Sequence, residues 1–168
     1  GDVALTSAGA IGLGGAVTLN KDITITSGND ADQTFGGTIR GDGGDDNNLT
    51  IVLQGNGKAI IGGIVGAGGA DNDIGVIDIT GVLDLNAAIG TTTVRGAASL
   101  TVSGVSTLDA DVNTSGSQTY TGGVTLGTAA RTLEGSTVTF GSTLAGGDRN
   151  LTITGNAVFG GNATGLGA

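Results

Sequence analysis

The sequence predicts an all-β fold: a parallel β-solenoid (β-helix) of roughly eight coils, one domain over residues 1–168. Internal repetition is the first observation behind this. Thr34-Phe35-Gly36-Gly37-Thr38-Ile39 returns as Thr139-Phe140-Gly141-Ser142-Thr143-Leu144, Asn48-Leu49-Thr50-Ile51 as Asn150-Leu151-Thr152-Ile153, and Ala59-Ile60-Ile61-Gly62-Gly63 as Ala157-Val158-Phe159-Gly160-Gly161. The offsets are 105, 102 and 98 residues, in unchanged order. Offsets that shrink stepwise mean that strands align while the loops between them vary. The second observation is a shorter beat: apolar-Thr-apolar triplets ending at Gly or Asn-Gly about every 18 to 25 residues, the spacing of solenoid coils. The third is the stock of core residues. Phe35, Tyr120, Phe140 and Phe159 are the whole aromatic set. A core without bulk is thin and filled by Val, Ile, Leu and Ala, which suits stacked coils better than a sandwich with large anchors.

The strand signals follow in order. Val3-Ala4-Leu5, Ala16 to Leu19, Ile23 to Thr26, Thr34-Phe35, Leu49 to Leu53 and Ala59-Ile60-Ile61 open the chain. Val76 to Ile79, Val82 to Leu85, Thr92-Thr93-Val94 and Leu100-Thr101-Val102 come next. Thr107-Leu108, Gln118-Thr119-Tyr120, Val124-Thr125-Leu126, Thr132-Leu133, Thr137 to Phe140, Leu151-Thr152-Ile153 and Ala157-Val158-Phe159 complete the set. Each is short, rich in β-branched residues and alternates with period two, placing Ile, Val and Leu inward and Thr or Asp outward. Gly pairs such as Gly36-Gly37, Gly62-Gly63 and Gly122-Gly123 punctuate the strands and mark the coil corners. The Asp/Asn/Gly stretches at 28–32, 41–48 and 66–73 read as projecting loops. Neither end carries an evident cap, so the end strands are expected to offer open edges.

Composition removes several function classes. Gly accounts for 36 residues and Pro for none, which excludes collagen and polyproline linkers. With 38% hydrophobic and only 12% charged residues the chain is not of the disordered type. Cys, His, Met and Trp are absent, so thiol and imidazole chemistry are unavailable. The net charge is −9, and the six basic residues (Lys21, Arg40, Lys58, Arg95, Arg131 and Arg149) are scattered singly. That pattern argues against nucleic acid and against an anionic membrane. No apolar run approaches the ~20 residues of a membrane span. The absence of an initial Met and of a signal peptide suggests a processed chain or a piece of a longer one.

The run from Leu100 to Gly104, then Asn113 to Leu126, then Thr137 to Ser142 and Asn150 to Ile153 resembles the large repeats of bacterial surface exoproteins. These are the filamentous-haemagglutinin-type adhesins and autotransporter passengers. The likeness is best over 100–161 and looser over 1–90. It implies a right-handed β-helix, secretion to the bacterial cell surface, and adhesive or filament-forming roles, with no catalytic residues to transfer. The chain departs from the family in being short and in lacking an identifiable secretion domain.

Candidate sites are few. Asp42, Asp45, Asp46, Asp71 and Asp73 could offer oxygens to calcium, although their stretches match neither the nonapeptide calcium roll nor the EF-hand loop, and solvated turns are the plainer reading. No other cofactor is expected. Thr24/Thr26, Thr91/Thr93, Thr119/Thr121, Thr137/Thr139 and Thr152/Thr154 lie two apart and so share strand faces. Stacked in register they would make a flat hydroxyl-and-methyl surface, as on an ice-binding solenoid. Their irregular spacing favours ordinary outward strand positions, where Thr has high propensity. Asn48, Asn113, Asn150 and Asn162 begin N-glycosylation sequons, which a Thr-rich chain produces by chance. An enzyme is not expected: without His the commonest general base is missing, and no G-x-S-x-G occurs. The expected function is structural. Copies of the chain join head to tail by strand stacking, with Val3 and Leu5 at one end and Val158 and Phe159 at the other. Alternatives are a segment of a large adhesin that contacts host or neighbouring cells, and an ice binder.

Overall fold

Short alternating strands interrupted by Gly cannot pair locally as hairpins without a turn that reverses direction. Here the corners turn the chain only part of the way round, so each strand meets its partner one coil later and in parallel. A computed structural model describes residues 2–28, 30–43, 46–66 and 74–167. Among them there is no helix, and every strand pairing is parallel. The chain winds through three faces per coil.

The first coil holds β1 (Val3–Ser7), β2 (Ile11–Leu13) and β3 (Val17–Leu19). The second holds β4 (Ile23–Ser27), β5 (Gln33–Phe35) and β6 (Ile39–Gly41). The third has β7 (Leu49–Val52), β8 (Lys58–Ile61) and a single bridging residue, Val65. The fourth has β9 (Ile74–Thr80), β10 (Val82–Leu85) and the bridge at Ile89. The fifth contains β11 (Ala97–Val102), β12 (Ser106–Leu108) and β13 (Val112–Asn113). The sixth contains β14 (Gln118–Tyr120), β15 (Val124–Leu126) and the first half of β16 (Arg131–Phe140). The second half of β16 opens the seventh coil, followed by β17 (Leu144–Arg149) and the first half of β18 (Leu151–Phe159). The rest of β18 and β19 (Ala163–Leu166) form two sides of an eighth. Among the described residues this makes seven complete turns and two further sides. Coil length varies: 20 residues from Val3 to Ile23, 26 to Leu49, 28 to Ile77, 23 to Leu100, 18 to Gln118, 20 to Val138 and 19 to Ala157. At the ~4.8 Å spacing of paired strands the stack is about 34 Å long.

Inward side chains form columns that run its length. On the first face one column is Leu5, Ile25, Ile51, Ile79, Val102, Tyr120, Phe140 and Phe159. The rings of Tyr120 and Phe140 stack at 5.7 Å, and those of Phe140 and Phe159 at 5.3 Å. The third face contributes Val17, Ile39, Val65, Ile89, Val112, Leu133 and Ile153. Like residues on like is the natural outcome when each coil rests on a copy of its own pattern. Among the described residues Gln33 and Ser106 interrupt the inward column of the second face, and a polar cluster around Gln118 interrupts the first. Gln118 Nε2 donates to the carbonyls of Val112 and Glu134 at 3.2 and 2.8 Å, while Gln118 Oε1 accepts the Tyr120 hydroxyl at 3.2 Å. Those bonds lower the cost of burying an amide and a phenol among aliphatic neighbours.

The repeats first seen in the sequence have a specific placement. Thr34-Phe35 lies on the second face and Thr139-Phe140 on the first; Leu49-Thr50-Ile51 lies on the first and Leu151-Thr152-Ile153 on the third. Ala59-Ile60-Ile61 lies on the second face and Ala157-Val158-Phe159 on the first. Every matched pair is displaced by four turns and two sides. The repeating unit is therefore one strand with its glycine corner, and not one coil. Thr92-Thr93-Val94, read as a strand, is a turn instead: Thr91 Oγ1 accepts the N–H groups of Thr93 and Val94 at 3.3 and 3.1 Å, and the Thr91 N–H donates to the Val94 carbonyl at 2.8 Å. The hydroxyl supplies the backbone with a local partner in place of the ladder.

Candidate functional site

The two ends of the stack are the parts of the structure where core chemistry reaches solvent. Val3 and Leu5 keep 40% and 38% of their surface exposed, although both point along inward columns. Their columns continue into the buried Leu49 and Ile51 two coils on. At the far end Phe159 is 47% exposed, its ring lying on that of Phe140, which is 1% exposed. Val158 is equally exposed but belongs to an outward column, above Thr139. Of the four residues expected to make the joint, three thus terminate the core and one lies on its outer rim. Leu166 at 40% exposure joins them on the second face, unnoticed in the sequence because Gly165 and Gly167 hide its strand character. Among the described residues β1 pairs with β4 alone and β19 with β17 alone, which leaves one backbone edge of each without a strand partner there.

Glycine sets how closely coils can approach at one corner. A Cβ on Gly37 would overlap the carbonyl of Gly15, and one on Gly63 would overlap the carbonyl of Gly37. Each Cβ position thus points at the coil below. At Gly15, in the first coil, the same position meets open space.

The acidic residues are mostly occupied at the corners. The N–H of Asn48 donates to Asp22 Oδ1 at 2.8 Å, that of Asn56 to Asp30 Oδ1 at 2.5 Å, and that of Lys58 to Asp32 Oδ1 at 2.9 Å. Thr128 and Thr132 donate in the same way to Asp109 and Asp111, at 3.0 and 2.9 Å. Each carboxylate receives a donor from the next coil, where the corner breaks the ladder. Loop 28–32 is therefore stitched to the stack through Asp30 and Asp32. Asn47 in loop 41–48 is buried and donates to the Leu19 carbonyl at 3.0 Å.

Of the possible calcium ligands, Asp42 and Asp46 are exposed, whereas Asp45, Asp71 and Asp73 lie outside the described residues. Among the described residues no three acidic side chains gather as a metal would need. The sequon at Asn113 is buried, with its amide donating to the Thr91 carbonyl at 2.7 Å, so it is closed to a glycan. Asn48 is also engaged, by Asp22 and by the Val76 N–H, while Asn150 and Asn162 are exposed. A cavity of about 410 Å³ opens on the third face. Ile64, Ile89 and Val112 give it an apolar floor, and Thr92, Asp111 and Glu134 a polar rim. Glu134 is paired there with Arg95 at 3.3 Å. These residues come from four coils, so no local motif announces them.

The threonine pairs are sorted by face. Thr24, Thr119 and Thr139 share one outward column of the first face, whereas Thr152 and Thr154 lie on the third and Thr91 and Thr93 in the loop. The burial of Tyr120 pushes its phenol well above its ordinary value. Comparison of the chain with family models, with curated proteins and with solved structures returns no match.

Proposed function

We propose that this chain is a structural, extracellular β-solenoid that joins copies of itself end to end into a filament at a bacterial surface. The observation that supports this is the continuity of the two ends. The column that closes on Leu5 below closes on Phe159 above, each half exposed in a single copy. Stacking one copy on the next would place Leu5 over Phe159 and Val3 over Ala157, extending the ladder that already joins every coil. The free N–H and C=O groups of β1 would meet those of the last half of β18, as in cross-β stacking. Such a contact joins different surfaces and does not close on itself, so it propagates.

The glycine corner makes the reading testable. The Cβ of Gly15→Ala would project off the first coil, where the carbonyl of the preceding copy would sit, while touching nothing in its own copy. Negative-stain electron microscopy of the purified chain should show uniform filaments. Gly15→Ala should give dispersed rods whose thermal stability is unreduced, and Leu5→Lys dispersed rods that keep the folded circular dichroism spectrum. Dispersed rods from the unaltered chain, or filaments from both variants, would refute end-to-end assembly. Such rods would advance the second reading, a segment of a larger adhesin binding cells laterally, which the third-face cavity beside the exposed 91–95 loop favours.

A further inference from the structure

The first face carries a second surface, independent of the ends. Between the fifth and seventh coils its outward positions form a grid. Thr101, Thr119 and Thr139 make the central column, each directly opposite the next. Continuing the register one step past the paired residues Leu100, Gln118 and Val138 sets Ser99, Ser117 and Thr137 in a second column, and the Leu100 N–H donates to the Ser117 carbonyl accordingly. On the other side Ser103, Thr121 and Gly141 continue the ladder, with the Thr121 N–H on the Val102 carbonyl and the Gly141 N–H on the Tyr120 carbonyl. Eight of nine positions carry a hydroxyl and none carries a charge, on a chain whose net charge is −9. The sequence concealed this arrangement because its columns recur at 18 and then 20 residues, with Ser in place of Thr at three positions, and the corners absorb the difference.

We infer that this grid is an ice-binding surface, its partner the ordered water of a crystal face. The backbone positions that carry neighbouring hydroxyls are separated by about 4.8 Å along a column and about 6.7 Å along a strand. Five of the eight belong to Thr, whose branched Cβ restricts χ1 and so holds hydroxyl and methyl in repeated orientations. Among the described residues only one of the eight hydroxyls is engaged by the protein, Ser103 Oγ accepting the Gly81 N–H at 3.0 Å. The others are left to water. A liquid has no lattice to match such a grid, and a charged ligand has no counter-charge on it. A solid with hydrogen-bonding groups in two-dimensional repeat matches both its period and its neutrality. Towards the first coil the pattern fails at Val52, Val76 and Asp78, which confines the surface to the later coils.

The test is the freezing behaviour of a single seed crystal in a solution of the purified chain. A gap between melting and freezing temperatures is expected, with faceted growth inside it. Thr119→Lys and, independently, Thr101→Lys should return the gap to the buffer baseline, each with an unchanged circular dichroism spectrum. Thr125→Lys, on the second face and outward like them, should leave it intact. No gap with the unaltered chain, equal loss in Thr125→Lys, or an undiminished gap in a folded Thr119→Lys or Thr101→Lys would each overturn the inference. Retention of the chain on crystalline cellulose without any gap would do the same, and would assign the grid to a glycan surface.

Discussion

Replacing Gly63 by Ala tests the packing rule at the coil corners. An added methyl group at Gly63 would overlap the Gly37 carbonyl carbon and oxygen and the Thr38 nitrogen, all of them backbone. Backbone cannot swing aside as a flexible side chain does, so coils two and three must separate locally. The hydrogen bonds from the Gly62 and Gly63 N–H groups to the Phe35 carbonyl, at 2.8 and 3.1 Å, lie beside that contact. Overpacking of this kind costs about 1–3 kcal/mol. The stiffer unfolded chain returns about 0.4–1 kcal/mol where the backbone angles suit Ala. With rigid atoms in the way the net loss should be about 2 kcal/mol, a fall of roughly 4–8 °C in Tm for a chain of this size. Gly15→Ala is the internal control. It occupies the same corner of the same glycine column, but its methyl group meets nothing, so stability should hold or rise by up to about 1 kcal/mol. Urea unfolding of dilute protein followed by circular dichroism would compare the two. Equal midpoints for Gly63→Ala and Gly15→Ala would refute the view that coil approach is limited by the absent Cβ.

Three further outcomes follow from the packing. Phe140→Ala removes the middle ring of the aromatic stack and should cost about 3–5 kcal/mol, whereas Phe159→Ala, half exposed, should cost about 1 kcal/mol; urea midpoints would distinguish them. Asp22→Ala leaves the Asn48 N–H and side-chain amide without their acceptor and should lower stability by about 1–2 kcal/mol, against no change for Asp2→Ala at an exposed position; equal thermal midpoints would count against the stitching role. Tyr120 holds its proton in the folded state above its ordinary value near 10, where the unfolded chain releases it. Its contribution is therefore intact below about pH 10 and declines as pH rises beyond that, so the phenolate band in the near-ultraviolet should appear together with unfolding and not before it.

Much of the fold was legible because each strand's information is local. Alternation in Leu49-Thr50-Ile51-Val52 or Val82-Leu83-Asp84-Leu85 states which side faces inward, and Gly-Gly states where the chain bends. The strands that escaped were either too short for alternation to register or interrupted by glycine, as β17 is by Gly146-Gly147, β19 by Gly165 and β2 by Gly12. Val65 and Ile89 take part in the third face as single bridging residues, and β13 is two residues long. In β6, Arg40 and Gly41 mask an inward Ile39. The end residues Val3, Leu5 and Phe159 could be anticipated from position and hydropathy. The third-face cavity could not, since its walls belong to four coils.

The sequence by itself determined that this protein is a parallel stack of short strands with glycine corners and a thin aliphatic core. Period-two alternation, β-branching and turn chemistry are properties of neighbours along the chain, and they need no knowledge of distant residues. Only the tertiary structure decided which residues lie above which. Register between coils depends on how much chain each corner and loop consumes, from 18 to 28 residues per turn, and that length is absorbed in space without a trace in the local pattern. For this reason the aromatic stack, the corner carboxylates and the hydroxyl grid emerge only when the coils are laid on one another.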